Sequence, residues 1–186
     1  VAVGSEGVWK TMNSGTTWKP IFDNKKVYST GCITIDSKKP STIWLGTGEN
    51  VGGRHAGFGD GVYVSHNDGK SWKNMGLENS EHISKIIVHP ENSDIVWVAS
   101  QGPLWSKGGD RGVYKTIDGG KSWRRTLGDA AWVGATDMLI DPTNSDVLYA
   151  ATWQRHRTVA GYLGGGPGSG LHKSIDGGET WKALKN

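Results

Sequence analysis

Two carboxylates, Glu49 and Asp129, and three arginines, Arg54, Arg111 and Arg155, stand in glycine-rich or polar stretches where chemistry could take place. Most glycoside hydrolysis needs a pair of carboxyl groups roughly 5–10 Å apart, one as proton donor and one as nucleophile or base. Guanidinium groups converging from separate loops could grip a carboxylate through paired hydrogen bonds. A third candidate is the aspartate of "TIDGG" and "SIDGG" (Asp118 and Asp176), which resembles a catalytic carboxylate beside a phosphate-cradling glycine loop. Other signals carry less. The six histidines (His55, His66, His82, His89, His156 and His172) have no zinc-ligand spacing, so no metal site is expected from them. "GGGPGSG" (164–170) lacks both the Lys-Ser/Thr and the following helix of a phosphate loop, and reads as a flexible connection. Acidic turn residues and loop carbonyls could bind Ca²⁺, but no EF-hand-type ligand series is present and no other cofactor is expected.

The elements that must position these residues are declared by a repeat. "KTMNSGTTW" (10–18), "VSHNDGKSW" (64–72), "KTIDGGKSW" (115–123) and "KSIDGGETW" (173–181) are four copies of one nine-residue box. Their tryptophans, Trp18, Trp72, Trp123 and Trp181, are 54, 51 and 58 residues apart, the length of one four-stranded blade with generous loops. In phase with each box come a glycine followed by an apolar or aromatic strand, and further upstream a hairpin of β-branched residues, as in "IIVHPENSDIVWVAS". Each full unit therefore predicts strands A, B, C and D, and helical periodicity appears nowhere at useful length. The predicted architecture is an all-β propeller of antiparallel four-stranded blades over residues 1–186. Its blades fall near 1–23 (lacking strand A), 28–76, 80–127 and 132–185, giving 15 strands in all. Four sheets close such a ring poorly, so the chain is expected to be an arc of a larger propeller. The remaining blades would come from further chain or from a partner subunit.

The box has a structural explanation at every position. An aspartate, or Asn13 and Asn67 in the first two copies, can accept hydrogen bonds from the backbone N–H groups that follow it. The glycines permit positive φ in the C–D turn. The tryptophan can bury a large apolar area between neighbouring blades. A repeated frame of this kind is scaffolding, so the catalytic reading of Asp118 and Asp176 is set aside.

The boxes resemble the Asp-box, or BNR, motif (Ser/Thr-x-Asp-x-Gly-x-Thr-Trp). Together with "WLGTGENVGGRHAGFGDGVYVSHNDGKSW" and "HPENSDIVWVASQGPLWSKGGDRGVYKTIDGGKSW", the chain is similar along its whole length to bacterial sortilin (VPS10)-like BNR-repeat proteins, which are often labelled glycosyl hydrolases. The resemblance implies a secreted or envelope-associated propeller protein whose activity is peptide or protein binding. The "Arg-Ile-Pro" signature of sialidases, another Asp-box family, is absent, and no Tyr/Glu pair declares itself.

In such a fold the B–C and D–A loops share one rim, around the channel mouth. The B–C loops are long and unlike one another, and variable loops on a repeated frame are where binding usually sits. They carry Glu49, Asn50, Arg54, His55, Trp105, Arg111, Trp153, Arg155, His156, Arg157 and Tyr162, and the D–A loops add Glu81, His82, Asp129 and Trp132. Trp105 and Trp132 have no counterpart in the repeat. The expected ligand surface consists of Glu49, Arg54, His55, Trp105, Arg111, Trp132, Trp153, Arg155 and Arg157, facing a protein, peptide or glycan. The alternative is a glycoside hydrolase, sialidase-like or of another BNR-repeat type, with Glu49 and Asp129 as its catalytic candidates. Packing of these loops on one another accounts equally well for any single residue. The formal charge of +3 is scattered, so a nucleic-acid partner has no support, and no apolar run could span a membrane. The single Cys32 is expected as a small core residue.

Overall fold

The β-branched and aromatic runs pair as antiparallel sheets because each alternates two apolar faces that both need covering. The computed structural model describes residues 1–4, 6–50, 53–128 and 131–185, and seventeen strands are present among them. The first sheet holds β1 (Ala2–Val3), β2 (Gly7–Lys10) and β3 (Lys19–Pro20). The second runs β4 (Thr30–Ile35), β5 (Ile43–Thr47), β6 (Val62–Ser65) and β7 (Lys73–Asn74). The third runs β8 (Ile83–Val88), β9 (Val96–Ser100), β10 (Gly112–Thr116) and β11 (Arg124–Leu127). In the fourth, β12 (Val133–Asp141) pairs with β13 (Asn144–Gln154), and β13 with β16 (Gly170–Ser174) and then β17 (Lys182–Ala183). A separate ribbon of β14 (His156–Arg157) and β15 (Tyr162–Leu163) rises from the last B–C loop. That ribbon accounts for the two strands beyond the fifteen expected: a loop read as irregular reverses through Thr158, whose N–H donates to Gly161 O at 2.8 Å. All seventeen strands are antiparallel, and no helix among the described residues is long and apolar enough to cross a membrane.

The core is three layers, one between each pair of adjacent sheets. Val8 and Phe22 of the first unit pack on Ile43, Leu45, Tyr63 and Trp72 of the second. Trp44, Val62 and Val64 meet Ile83, Ile86, Val96 and Val98 of the third. Ile87, Trp97, Ala99 and Val113 meet Ala135, Met138, Leu148 and Ala150 of the fourth. At the hub, successive strands A touch directly: Thr34 Oγ1 donates to Ile86 O at 2.7 Å, and Ser84 Oγ to Ala135 O at 3.1 Å. On the far face of the fourth sheet, Leu139 and Leu171 are 61% and 47% exposed. Their register equivalents in the third sheet, Ile87 and Val113, are 9% and 0% exposed because the fourth sheet covers them. The chain is thus an arc of a larger propeller, ending on a face shaped like one that a further blade covers.

All four boxes form the same turn. The Ser or Thr hydroxyl at its second position donates to the Asx side chain at distances from 2.7 to 3.0 Å (Thr11–Asn13, Ser65–Asn67, Thr116–Asp118, Ser174–Asp176). That Asx oxygen accepts from the N–H of Thr17, Ser71, Ser122 and Thr180 in turn. The two residues after the Asx have positive φ in every copy. In two copies the first of them is Ser14 (φ 54°) or Asp68 (φ 61°) instead of glycine, held there by the surrounding bonds. The turn also ties back to its own sheet's A–B turn: Asp68 N–H donates to Ser41 O, Gly119 N–H to Asp94 O, and Gly177 N–H to Asp146 O.

Each later box tryptophan then crosses to the preceding sheet. Trp72 Nε1 donates to Ile21 O at 2.7 Å, Trp123 Nε1 to Met75 O at 2.7 Å, and Trp181 Nε1 to Thr126 Oγ1 at 3.1 Å. The rings meet their neighbours edge-on rather than lying flat, as Trp72 does on Phe22 and Trp123 on Trp44. Trp97 reaches forward in the opposite sense, donating to Gly177 O of the next box at 3.0 Å. Ion pairs cross the same interfaces, Lys10–Asp68, Lys38–Glu91 and Lys115–Glu179 among them. Among the described residues no sheet lies on the outer side of Trp18, which is 41% exposed and whose Nε1 donates to Gly15 O within its own turn.

This difference sets two expectations. Trp72→Ala should cost about 3–5 kcal/mol as a buried large-to-small change, whereas Trp18→Ala should stay within about 0.5 kcal/mol. Urea denaturation of the two variants checks the contrast, and equal losses would contradict the interblade role. The second expectation concerns acid. Hydrogen bonds from Ser122 and Thr116 hold the Asp118 carboxyl down at about 2, and Thr180 and Ser174 hold Asp176 lower still. Unfolded carboxyls titrate near about 3.9, so this stabilisation is complete above that value and disappears as pH falls through the folded one. Asn13 and Asn67 do not titrate. Amide protection at Ser122 and Thr180 should therefore fall between about pH 4 and pH 2 while Thr17 and Ser71 keep theirs, as measured by hydrogen exchange.

Candidate functional site

Ser29, His82 and Trp132 directly precede the three complete strands A, so the repeat brings them to equivalent places at the loop end of the hub. Here adjacent blades approach through backbone. Within the second blade Gly48 N–H donates to Ser29 O at 2.9 Å, and across to the third Gly59 N–H donates to Glu81 O at 2.7 Å. Gly48 has φ +86°, and a Cβ there would lie 1.8 Å from Glu81 O, so glycine is required for this approach. Gln101 N–H donates to His82 O at 2.8 Å, and the Gln101 backbone lies against Gly134, the register partner of Trp153. Three blades thus converge on one neck.

The neck holds polar side chains that the fold leaves unmatched. His82 is fully buried, with Nδ1 3.0 Å from Glu49 O. A carbonyl only accepts, so Nδ1 carries the proton and Nε2 is a bare acceptor. Nε2 has no hydrogen-bond partner. Burial, with the nearby Arg155 charge, pushes His82 down to about 4, so it stays neutral throughout the physiological range. Arg155 is 1% exposed, and none of its three guanidinium nitrogens has a hydrogen-bond partner. Its plane lies over the Trp153 ring at 5.0 Å, and burial lowers it to about 10, still charged. Glu81 is half-buried at φ +53°, a strained conformation for a non-glycine residue. Burial raises its carboxyl against the opposing pull of the Leu104 N–H and of Arg111 and Arg155, and its Oε2 is buried without a donor. Gln101, 3% exposed, has a partnerless Oε1 while its Nε2 contacts Asn50 Oδ1.

Around the neck, arginines and aromatics from different loops interleave. Arg157 lies 4.4 Å from the Tyr162 ring centroid and 5.9 Å from that of Trp105. Trp132 packs on His156 at 3.9 Å and beneath Arg111 at 5.7 Å, and Trp153 Nε1 donates to Gly164 O at 2.9 Å. Arg157 N–H donates to Leu104 O at 3.0 Å, joining two of these loops. Arg54, exposed, spans from the second blade to the fourth, donating from Nη2 to Val159 O at 3.0 Å. His55 is exposed nearby in sequence. Arg111 is fully buried and staples its own loop, donating to Gly108 O at 2.5 Å, Pro103 O at 2.8 Å and Ser106 O at 2.9 Å. The three arginines therefore do not form one cation clamp: one spans loops, one holds a loop, and one is buried without acceptors. Glu49 is half-buried and takes part through its backbone, while Asp129 lies outside the described residues. Among the described residues no three His, Cys, Asp or Glu side chains gather to hold a metal ion. Sequence reasoning placed Glu81 and His82 on this rim without picking them out from it, and it missed Gln101. Their one signal is polar character at positions abutting buried strands.

The family model described as Sortilin, neurotensin receptor 3 (Sortilin-Vps10), matches residues 60–186. The chain belongs to the Sortilin-Vps10 family. It is also similar to the oligoxyloglucan-reducing end-specific xyloglucanase of Emericella nidulans, 21% identical over 187 residues covering 90% of this chain and 20% of that enzyme. Among solved structures, an ancestral GH74 enzyme superposes with a TM-score of 0.69 at 18% identity, over 100% of this chain and 22% of that one. The GH74 enzyme of Niastella koreensis gives 0.68 at 20% identity, over 97% and 26%. The GH74 xyloglucanase of Xanthomonas campestris gives 0.68 at 18% identity, over 98% and 27%. These likenesses establish the β-propeller fold, and this Sortilin-Vps10 chain spans about a fifth of the length of the curated relative it matches.

The site separates two buried arginines by stability. Arg111→Met strands carbonyls that the guanidinium now satisfies and should cost about 2–4 kcal/mol. Arg155→Met removes a buried charge without hydrogen bonds and should leave stability unchanged or raise it by about 1 kcal/mol. Thermal and urea unfolding of the two variants measures the contrast, and a large loss for Arg155→Met would mean that its cation is structurally matched after all.

Proposed function

We propose that this chain is the ligand-binding arc of a sortilin-like propeller, capturing its ligand on the B–C and D–A loop rim. The observation that carries this reading is the convergence of loops from three blades on one neck of unmatched polar groups, ringed by Trp105, Trp132, Trp153 and Tyr162. Aromatic faces supply contact area at low entropic cost, and guanidinium groups supply orientation. The ligand is a protein, peptide or glycan, and the rest of the ring comes from further blades or a partner subunit packed on the exposed Leu139–Leu171 face. On this reading the protein is extracellular or associated with the cell envelope, as the family resemblance suggests. Trp105→Ala combined with Tyr162→Ala should lower binding to a glycan or peptide array at least tenfold while thermal unfolding barely moves. Unchanged array binding in that double variant would argue against the loop rim.

A second reading, a glycoside hydrolase, is favoured by one specific feature. Glu81 is a half-buried carboxyl raised by desolvation, the environment a general acid needs. The similarity to xyloglucanases points the same way. Release of reducing ends from xyloglucan by the complete propeller protein, lost by a factor of at least about 100 in Glu81→Gln, is the expected result on this reading. No release from the complete propeller protein would end it.

A further inference from the structure

The unmatched groups in the neck are of opposite kinds. Arg155 offers N–H donors that lack acceptors, and His82 Nε2 and Glu81 Oε2 are acceptors that lack donors. His82 and Gln101 are joined backbone to backbone, Gln101 abuts Gly134, and Gly134 pairs with Trp153, two residues before Arg155. The charge of Arg155 acts on both His82 and Glu81, so a single group serving all three would accept from the guanidinium and donate to the imidazole or the carboxylate. A carboxylate, sulfate or phosphate dianion would serve Arg155 but turn only lone pairs towards His82 and Glu81. An alcohol hydroxyl meets both demands, since it has one donor and two acceptor positions. Trp153 beside Arg155, and Tyr162 and Trp105 beside Arg157, add flat apolar surfaces of the kind that cover the C–H faces of a sugar ring.

We propose that the Arg155–His82–Glu81 neck is a saccharide site that takes a ring hydroxyl of a neutral sugar, which accepts from Arg155 and donates to His82 Nε2 or Glu81. The proposal rests on the loop-rim reading and names its ligand class. The neutral state of His82 is essential to it, because a protonated ring would lose its acceptor.

The test uses the whole chain with a panel of neutral tetrasaccharides (β-glucan, xylan and mannan), sodium sulfate, sodium acetate and a peptide with a free C-terminal carboxylate as probes. Titration calorimetry on wild type, Arg155→Met and His82→Phe gives affinities, and imidazole nitrogen NMR of the wild type reads Nε2 without any substitution. The expected result is binding of at least one tetrasaccharide, at least tenfold weaker in each variant. Nε2 should shift in the direction of an accepted hydrogen bond on addition of the sugar. Saccharide binding that neither variant weakens, with Nε2 unmoved, would overturn the neck assignment while leaving the loop rim as the ligand surface. Binding of sulfate, acetate or the peptide carboxylate through Arg155, with no sugar bound, would overturn the hydroxyl argument and leave an anion site in its place. Binding of no probe by wild type, together with array binding unaffected by the Trp105–Tyr162 double variant, would sink both the neck proposal and the loop-rim reading.

Discussion

A propeller blade has two apolar faces, and burying both requires each sheet to be clamped to the next at a fixed separation. In this protein the clamp is the box tryptophan together with the turn that aims it. The turn is built from side-chain to backbone hydrogen bonds within nine residues, so it forms locally. Its indole nitrogen then finds an oxygen on the neighbouring sheet, at Ile21, Met75 or Thr126. The first copy shows the dependence by contrast. Its internal bonds are all present, yet with no sheet beside it among the described residues Trp18 donates to Gly15 O and is exposed.

That clamp divides the labour between two rims. On the boxed rim, A–B and C–D turns bond to one another and leave little polar capacity over. On the other rim the strands end at a neck held by close backbone approaches, and the loops above it are free to diverge. This second rim is where the structure departs from what stability alone would select: a left-handed Glu81, a buried neutral His82, and a charged Arg155 without hydrogen-bond acceptors. Arg111 is the instructive counter-case, since an arginine of the same burial, one blade earlier, donates to three carbonyls of its own loop.

The frame was legible in the chain because its causes are local and repeated. Asp118, Gly119, Gly120 and Trp123 each do in the fold what their types and spacing suggest, and three further copies vary the residues without altering the geometry. The loop rim was legible as a region, and Arg155, Trp105 and Trp132 all lie in it. Their roles were not, because they depend on contacts between loops of different blades. Nothing in sequence separates Arg111 from Arg155, and only packing shows that one meets carbonyls while the other meets Trp153. The β14–β15 ribbon escaped notice for a related reason: two-residue strands carry no period to read.

The boxes fasten sheets together, and the proposed ligand surface lies on the opposite rim. Hydrogen exchange with and without bound ligand tests both halves in one measurement. Protection should rise at residues 81–82, 101–111 and 153–163, with no change at the box turns 116–122 and 174–180. Protection confined to the box turns, with the loop rim unaffected, would contradict it.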